Sequence, residues 1–468
     1  MKKFYITILF SFILFDNLSS QNIFDIKNVK TLGLQTVEIF TKDGEMPTCD
    51  YMDAPEGSMG STCINQNKVP CRIIISLSDH ILYDSGEYED KVSGATIKIN
   101  GNTSSLHDNK PYKIKLQKKA DLLNRGESKY EDKNWRLLKD ARTLNTIIGL
   151  KVNELLGLPW TPAYKPCNVF LNNEYQGCYL LIESVERNSD CRLNVSKKSG
   201  YIIERDPYWW SENKYFSTNY FEPYKGYRWT WKYPDEDDVT VEQEKYIQSV
   251  INKAEESIIQ GNYEKYIDVT SFAKWLLAHD ILGTWDSGGS NLYMMKYDDS
   301  ENSLLQMANL WDFDTIFRMP KENFSRFHDR TYDFYFHDLF NNVNTSFSDV
   351  YSKLWNDIKV SLLNNITSFI NDYSASSEAA ALQSSRELYS KKWNYELKTV
   401  KEDAETAVKW FNEHLPLLDI MISQMVSNIP SYKISKPEND FIYNLSGMRN
   451  TNIKKGLYIR NGKKYIMK

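Results

Sequence analysis

Asp286, Asn291, Asp312 and Asp314 are the side chains of this sequence best suited to chemistry, since the stretch DSGGSNLYMMKYDDSENSLLQMANLWDFD (286–314) sets three carboxylates and an amide around one short hairpin. Their oxygens suit a hard divalent cation such as Mg²⁺, and a separate carboxylate can orient an attacking hydroxyl. That division of labour belongs to phosphoryl transfer, where positioning and charge neutralisation supply most of the acceleration. The elements that must position these groups are two strands, NLYMMKY (291–297) and LLQMANLW (304–311), with the polar run DDSEN as the turn between them. Antiparallel pairing about that turn places Asn291 near Asp312 and Asp314, with Asp286 five residues upstream.

The chain that carries this hairpin has 468 residues, 41% of them hydrophobic, enough for a large core in one big domain or two smaller ones. A net charge of −5 and the lack of basic repeats argue against a nucleic-acid partner or a polybasic membrane surface. Lys2 and Lys3, the apolar run FYITILFSFILF and Leu18-Ser19-Ser20 predict a signal peptide over 1–20, hence export to the periplasm, the cell surface or the outside. The twelve-residue apolar run is short of the roughly 20 residues a membrane span needs, and no later segment is longer, so no transmembrane segment is expected. Six cysteines (49, 63, 71, 167, 178 and 191) in an exported chain predict disulfides, while the absence of CxxC pairs argues against zinc. Their pairing is not readable from spacing.

Strands come first and helices later. TVEIF (36–40) and RIIISL (72–77) precede a hairpin of ATIKIN (95–100) and PYKIKL (111–116), whose alternation puts Tyr112, Ile114 and Leu116 on one face and Lys113 and Lys115 on the other. Lysines on that face either reach into a cleft or line a solvated surface. NWRLLKD, a helical pattern over 144–157, the strands CNVFLNN and GCYLLIESV, and SGYIIERD follow. Residues 208–234 hold Trp209, Trp210, Trp229 and Trp231, read as sheet packing, with a glycan or substrate platform as the alternative. From Val241 the pattern turns helical up to Asp286, and again over about 347–428. The expected fold class is α+β, two-lobed and protein-kinase-like, with a sheet-rich amino half and a helical carboxyl half.

An Asp-x-x-x-x-Asn segment, a hairpin and an Asp-containing turn are parts that protein kinases use. The ordered segments GATIKINGNTS, KPYKIKL, KNWRLLKD, YQGCYLLIESVER, SGYIIERD, YRWTWKYPDEDDVT, SFAKWLLAHDILGTWDSGGSNLYMMKY and LWDFD resemble the spore-coat protein H (CotH) kinase family over about 36–360. The resemblance implies an atypical kinase-like fold and transfer of phosphate from ATP, with Mg²⁺ or another divalent cation, to Ser/Thr of a secreted or coat protein that is not identified. By position it implies Asp286 as the catalytic aspartate, Asn291, Asp312 and Asp314 as metal ligands, Lys113 or Lys115 as the phosphate contact, and Glu183 at the nucleotide edge. Two departures stand out. Asn100-Gly101-Asn102-Thr103 occupies the place of a usual Arg-Gly-Asn-Ser, and Asn145 or Thr146 that of a second Arg, with Arg142 one turn away. Guanidinium forks suit phosphate oxygens, so the departures make a catalytically degenerate scaffold or adhesion protein, binding surface proteins or glycans, the rival reading. A structural envelope protein held by disulfides is the third.

The expected organisation is a signal peptide over 1–20, an amino-terminal β prelude over 21–80, the kinase-like domain over 81–432 and a tail over 433–468. In the tail, FIYNL and GLYI read as strands and Asn461-Gly462 as a hairpin turn. The tail resembles the YNLxGxR…KKGxYIxNGKK endings of exported Bacteroidetes proteins, parts of type-nine sorting domains; a small structural hairpin is the alternative.

Overall fold

The computed structural model describes residues 23–56, 58, 60–139, 143–220, 228–284, 291–317, 335–426, 442–443, 456–460 and 463–467. The expected signal peptide, Arg142 and Asp286 lie outside them. After a short helix α1 (Ile26–Lys30), ten strands follow: β1 (Gln35–Thr41), β2 (Asp50–Asp53), β3 (Ser61–Ile64), β4 (Val69–Leu77), β5 (His80–Asp84), β6 (Ala95–Ile99), β7 (Tyr112–Ala120), β8 (Asp132–Leu138), β9 (Tyr164–Leu171) and β10 (Glu174–Glu183), with helix α2 (Thr143–Leu155) between β8 and β9. The order β1-β9-β10-β8-β7-β6-β4-β5, with a further β1–β4 pairing, turns the sheet into a barrel-like ring with β5 as an outer flap. Closure leaves the ring strands without open edges. The stretch set apart by sequence as a prelude supplies β1 and β4, two strands of that ring.

Every second residue of these strands points inward. Val37, Ile39, Ile73, Ile97, Ile114 and Trp135 are among the fully buried side chains of one core cluster. Burying each such side chain contributes about 1.5–3 kcal/mol, so the alternation itself selects which face turns inward. The pattern read for Lys113 and Lys115 holds, since Tyr112, Ile114 and Leu116 are buried while Lys113 is half-buried and Lys115 exposed. Cys49 and Cys63 form a disulfide across the β2–β3 ribbon; Cys71, Cys167 and Cys178 are buried thiols.

A second, five-stranded sheet combines β11 (Tyr201–Asp206), β12 (Tyr215–Phe216), β13 (Arg228–Tyr233), β14 (Leu292–Lys296) and β15 (Gln306–Met307) in the order β12-β13-β11-β14-β15. Trp229 and Trp231 are buried in it, as packing predicts. Helices α3 (Val241–Gln260) and α4 (Val269–Leu282) separate β13 from β14, and α5 (Phe336–Phe340), α6 (Ser346–Ser374), α7 (Ser377–Trp393) and α8 (Val400–Val426) follow β15. Helix α3 opens on a Thr240–Gln243 capping box and closes on Gly261 in the left-handed conformation. Helix α7 covers the outside of β9 and β10, where Asn168 donates to Ser385 (3.0 Å) and Trp393 to the Gln176 carbonyl (2.9 Å). The protein is therefore mixed α/β, sheet-rich in its amino half and helical in its carboxyl half.

The chain divides into two compact units, Met1–Leu418 and Asp419–Lys468. The second contains a small antiparallel sheet of β16 (Ile442–Tyr443), β17 (Gly456–Arg460) and β18 (Lys463–Met467). Arg460 lies opposite Lys463, the register expected of strands that flank Asn461-Gly462, which themselves lie outside the described residues. Among the described residues, no helix is long and apolar enough to cross a membrane.

Candidate functional site

The acidic hairpin forms as the sequence predicts, and its flanks are pinned by buried neighbours. Met294 pairs with Met307 and Met295 with Gln306, and the Ala308 N–H donates to the Tyr293 carbonyl at 2.9 Å. The same register carries Asn291 to the level of Leu310, two residues before Asp312. Beyond the strand, Trp311 and Phe313 are buried while Asp312 and Asp314 are exposed, so the aromatic residues anchor the turn and the carboxylates face out. Leu310 N–H donates to Asn153 of α2 at 2.9 Å, and Phe317 N–H to the Leu282 carbonyl at the end of α4, also at 2.9 Å. That last bond ties the acidic turn to the helix end from which the chain runs on to Asp286.

Gly149 shows how tight the anchoring is. A Cβ there would stand 2.0 Å from the Phe313 ring, so the middle of α2 carries a residue that costs a helix about 1 kcal/mol relative to Ala. Asn291 (φ 57°) and Asp312 (φ 62°) both adopt the left-handed backbone conformation. Asn and Asp enter that region more readily than other L-residues, and such outliers gather where a structure holds side chains for a purpose. Among the described residues, which do not include Asp286, no group of three or more His, Cys, Asp or Glu side chains stands ready to hold a metal. Asn291, Asp312 and Asp314 each carry side-chain oxygens of the type Mg²⁺ takes.

A basic row on the barrel reaches this turn at one end, through Arg136. Lys98 of β6 pairs with Lys113 of β7, which pairs with Arg136 of β8, so three cations stand side by side on the outer wall. Arg136 lies over the Trp311 ring (5.6 Å to the centroid), one residue from Asp312, and donates to the Asn100 side-chain oxygen at 3.0 Å. Burial, reinforced by the Arg136, Lys98 and Lys232 charges and opposed by Glu186, pushes the Lys113 ammonium down to about 8. Lys98 is lowered as well, first by burial and then by Lys68. Glu186 accepts from Asn134 at 2.6 Å and lies 3.4 Å from Lys113. It also lines a cavity of about 390 Å³ with Arg187, Lys232, Tyr233 and Asp235. A second cavity, of about 520 Å³, lies along α3 and shares none of these residues.

Glu183 does not join the lysines. It pairs with Trp135 of β8, and Trp135 stands opposite Ile114, so Glu183 belongs to the inward-facing set while Lys113 and Arg136 belong to the outward one. Arg125 (2.9 Å) and the Ala163 N–H (2.9 Å) hold its carboxylate; burial raises its pKa, and these two partners oppose the rise. Lys115, expected as the alternative to Lys113, is exposed between Thr96 and Asn134. Sequence reasoning missed Lys98, Arg136 and Glu186. The alternation of ATIKI and NWRLL was a signal for the first two, but only the register of three consecutive strands shows that they align with Lys113.

The model of the family described as CotH kinase protein matches residues 97–415, more than half of the chain, and spans the basic row and the acidic turn alike. The chain belongs to the CotH kinase family. No curated protein matches it. Membership suggests a kinase-like function and, with it, ATP-dependent phosphotransfer. The CotH match begins inside β6 and leaves β1 and β4, which close the ring, outside it.

Proposed function

We propose that this CotH-family chain is an exported, atypical protein kinase that transfers the γ-phosphate of ATP to Ser or Thr of a secreted or surface protein. One observation carries the reading. Arg136, standing in a row with Lys113, packs on the ring beside Asp312, so a phosphate-attracting wall and a metal-attracting turn lie next to each other. The barrel with its basic wall and the α-helical half with the acidic turn then correspond to the two lobes of a kinase-like fold. Asn291, Asp312 and Asp314 would hold Mg²⁺ or another divalent cation, whose charge offsets that of the phosphate oxygens. Asp286 would orient the acceptor hydroxyl. Lys113 contacts phosphate, with Lys115 as its exposed neighbour, and Glu183 serves the nucleotide edge by fixing the end of β10 through Arg125.

The rival, a degenerate scaffold that binds surface proteins or glycans, draws on Asn100 in place of the usual family Arg. The test is Mg²⁺-dependent transfer of radiolabelled phosphate from ATP to the mature protein itself or to a Ser-rich peptide. Transfer is expected in the parent and lost in Asp286→Ala and Asp312→Ala. A parent protein that neither binds nucleotide with metal nor transfers phosphate, yet still holds a surface ligand, would replace the kinase reading with the scaffold.

A further inference from the structure

We infer that Lys98, Lys113 and Arg136 form a binding cradle for an oligophosphate chain, with Arg136 the residue that selects it over a single phosphate. The inference deepens the kinase reading by naming the groups that grip the phosphates, and it concerns residues on a rigid wall rather than the acidic turn. Like charges placed directly opposite on neighbouring strands destabilise a sheet. Here two such pairs follow one another, Lys98 opposite Lys113 and Lys113 opposite Arg136. The surroundings offset little of this. Among the described residues the only carboxylate within ion-pair distance of the row is Glu186, 3.4 Å from Lys113. Glu212 and Glu236 act on Lys98, and Asp235 on Lys113, only through longer-range attraction. Lys98 reaches just the Gln66 side-chain oxygen, at 3.4 Å.

Arg136 is the group that gives the row its geometry. One end of its guanidinium donates to Asn100, the Trp311 ring lies against it, and its buried Nε–H has no hydrogen-bond partner. A planar fork fixed in this way keeps donors for a bidentate oxyanion without losing side-chain freedom on binding. Neighbouring strands lie about 4.8 Å apart, so three cations in register span roughly 10 Å across the sheet. A chain of linked phosphates can touch all three; one phosphate cannot. Asn100 thus takes part indirectly, because its amide oxygen holds the guanidinium that the position itself lacks.

The probes are sodium tripolyphosphate, ATP, AMP and inorganic phosphate, titrated calorimetrically into the full mature chain in EDTA. Tripolyphosphate and ATP are expected to bind, and AMP and phosphate at least about tenfold more weakly. Arg136→Gln should weaken tripolyphosphate and ATP alike by about tenfold or more, and Arg136→Lys by less, since it keeps charge without the fork. Lys98→Met, a change at a side chain with a single weak contact, should cost several-fold without altering the fold. Unchanged tripolyphosphate binding in a folded Arg136→Gln or Lys98→Met protein overturns the cradle. If that protein also transfers phosphate normally, the kinase reading survives alone. If oligophosphate binding depends on Arg136 but the parent transfers no phosphate from ATP, the cradle stands and the kinase reading falls. ATP binding without tripolyphosphate binding would place recognition in the nucleoside and also overturn the cradle.

Discussion

The acidic turn and the basic row meet where Arg136 lies over Trp311, but they are built in opposite ways. The turn sits on loop backbone, with Asn291 and Asp312 in a left-handed conformation, and takes its shape from what is buried beneath it: Phe313 against Gly149, Phe317 bonded to Leu282, and Leu310 to Asn153. The row sits on three strands of a closed ring whose other face is the apolar core. Carboxylates that must gather around a cation need freedom to arrange themselves, whereas crowded cations need a frame that cannot give way. The difference teaches where each side is vulnerable. Damage beneath the turn should displace chemistry, and damage within the row should weaken binding while leaving the fold alone.

The hardest blow to the turn is the loss of its carboxylate. Asp312→Asn should reduce phosphotransfer by roughly three orders of magnitude or more while the melting temperature stays near the parent's, because Asp312 is exposed and Asn tolerates the same left-handed backbone. A variant with near-parent rates would remove the turn from the chemistry. On the barrel side, Arg125→Met leaves Glu183 buried with only the Ala163 N–H and should cost about 3 kcal/mol in urea unfolding. A cost near zero would mean that the carboxylate is protonated or solvated. Gly149→Ala drives a methyl into the Phe313 ring, so a loss of about 1–3 kcal/mol is expected, with activity falling further than stability alone accounts for. Equal losses in both would show the aromatic anchor to be mere packing.

The smallest effect is one of pH and has two signs. Lys113 is pushed from 10.5 down to about 8 in the folded chain, so between those values the unfolded chain binds more protons and stability should rise with pH across that window. Oligophosphate binding should move the other way and weaken as pH climbs through about 8, since Lys113 loses its charge there. Burial is the main cause of this value, and the charges around Lys113, namely Glu186, Arg136, Lys98, Lys232 and Asp235, adjust it. Lys113→Met should flatten both trends. A binding curve that keeps its slope in that variant would assign the proton to another group.

Local features were legible because they depend on neighbours in sequence. The alternation in PYKIKL placed Lys113 outward and Ile114 inward, and the polar run DDSEN announced the hairpin that brings Asn291 toward Asp312. Trp229 and Trp231 were read as packing and are buried. Glu183 is expected at the nucleotide edge as the Glu that ends the strand YLLIES, and only its pairing with Trp135 shows that it lies on the opposite face of the sheet from Lys113. Asn100 reads in sequence as a missing guanidinium, and only the fold shows that Arg136, two strands along in space, is bonded to that same Asn100.

By itself, then, the sequence determined the strand-rich amino half and helical carboxyl half, the acidic hairpin, the outward lysines of β7 and membership of the CotH family, since these follow from periodicity, turn chemistry and residue order. Tertiary structure alone decided that β1 joins β4 and β9 to close the ring, that Lys98, Lys113 and Arg136 share one row, and that Trp311 brings that row to Asp312. The reason is physical. Side-chain direction along a strand is fixed by each residue's own backbone, but which strands become neighbours is settled only when the whole core is buried at once.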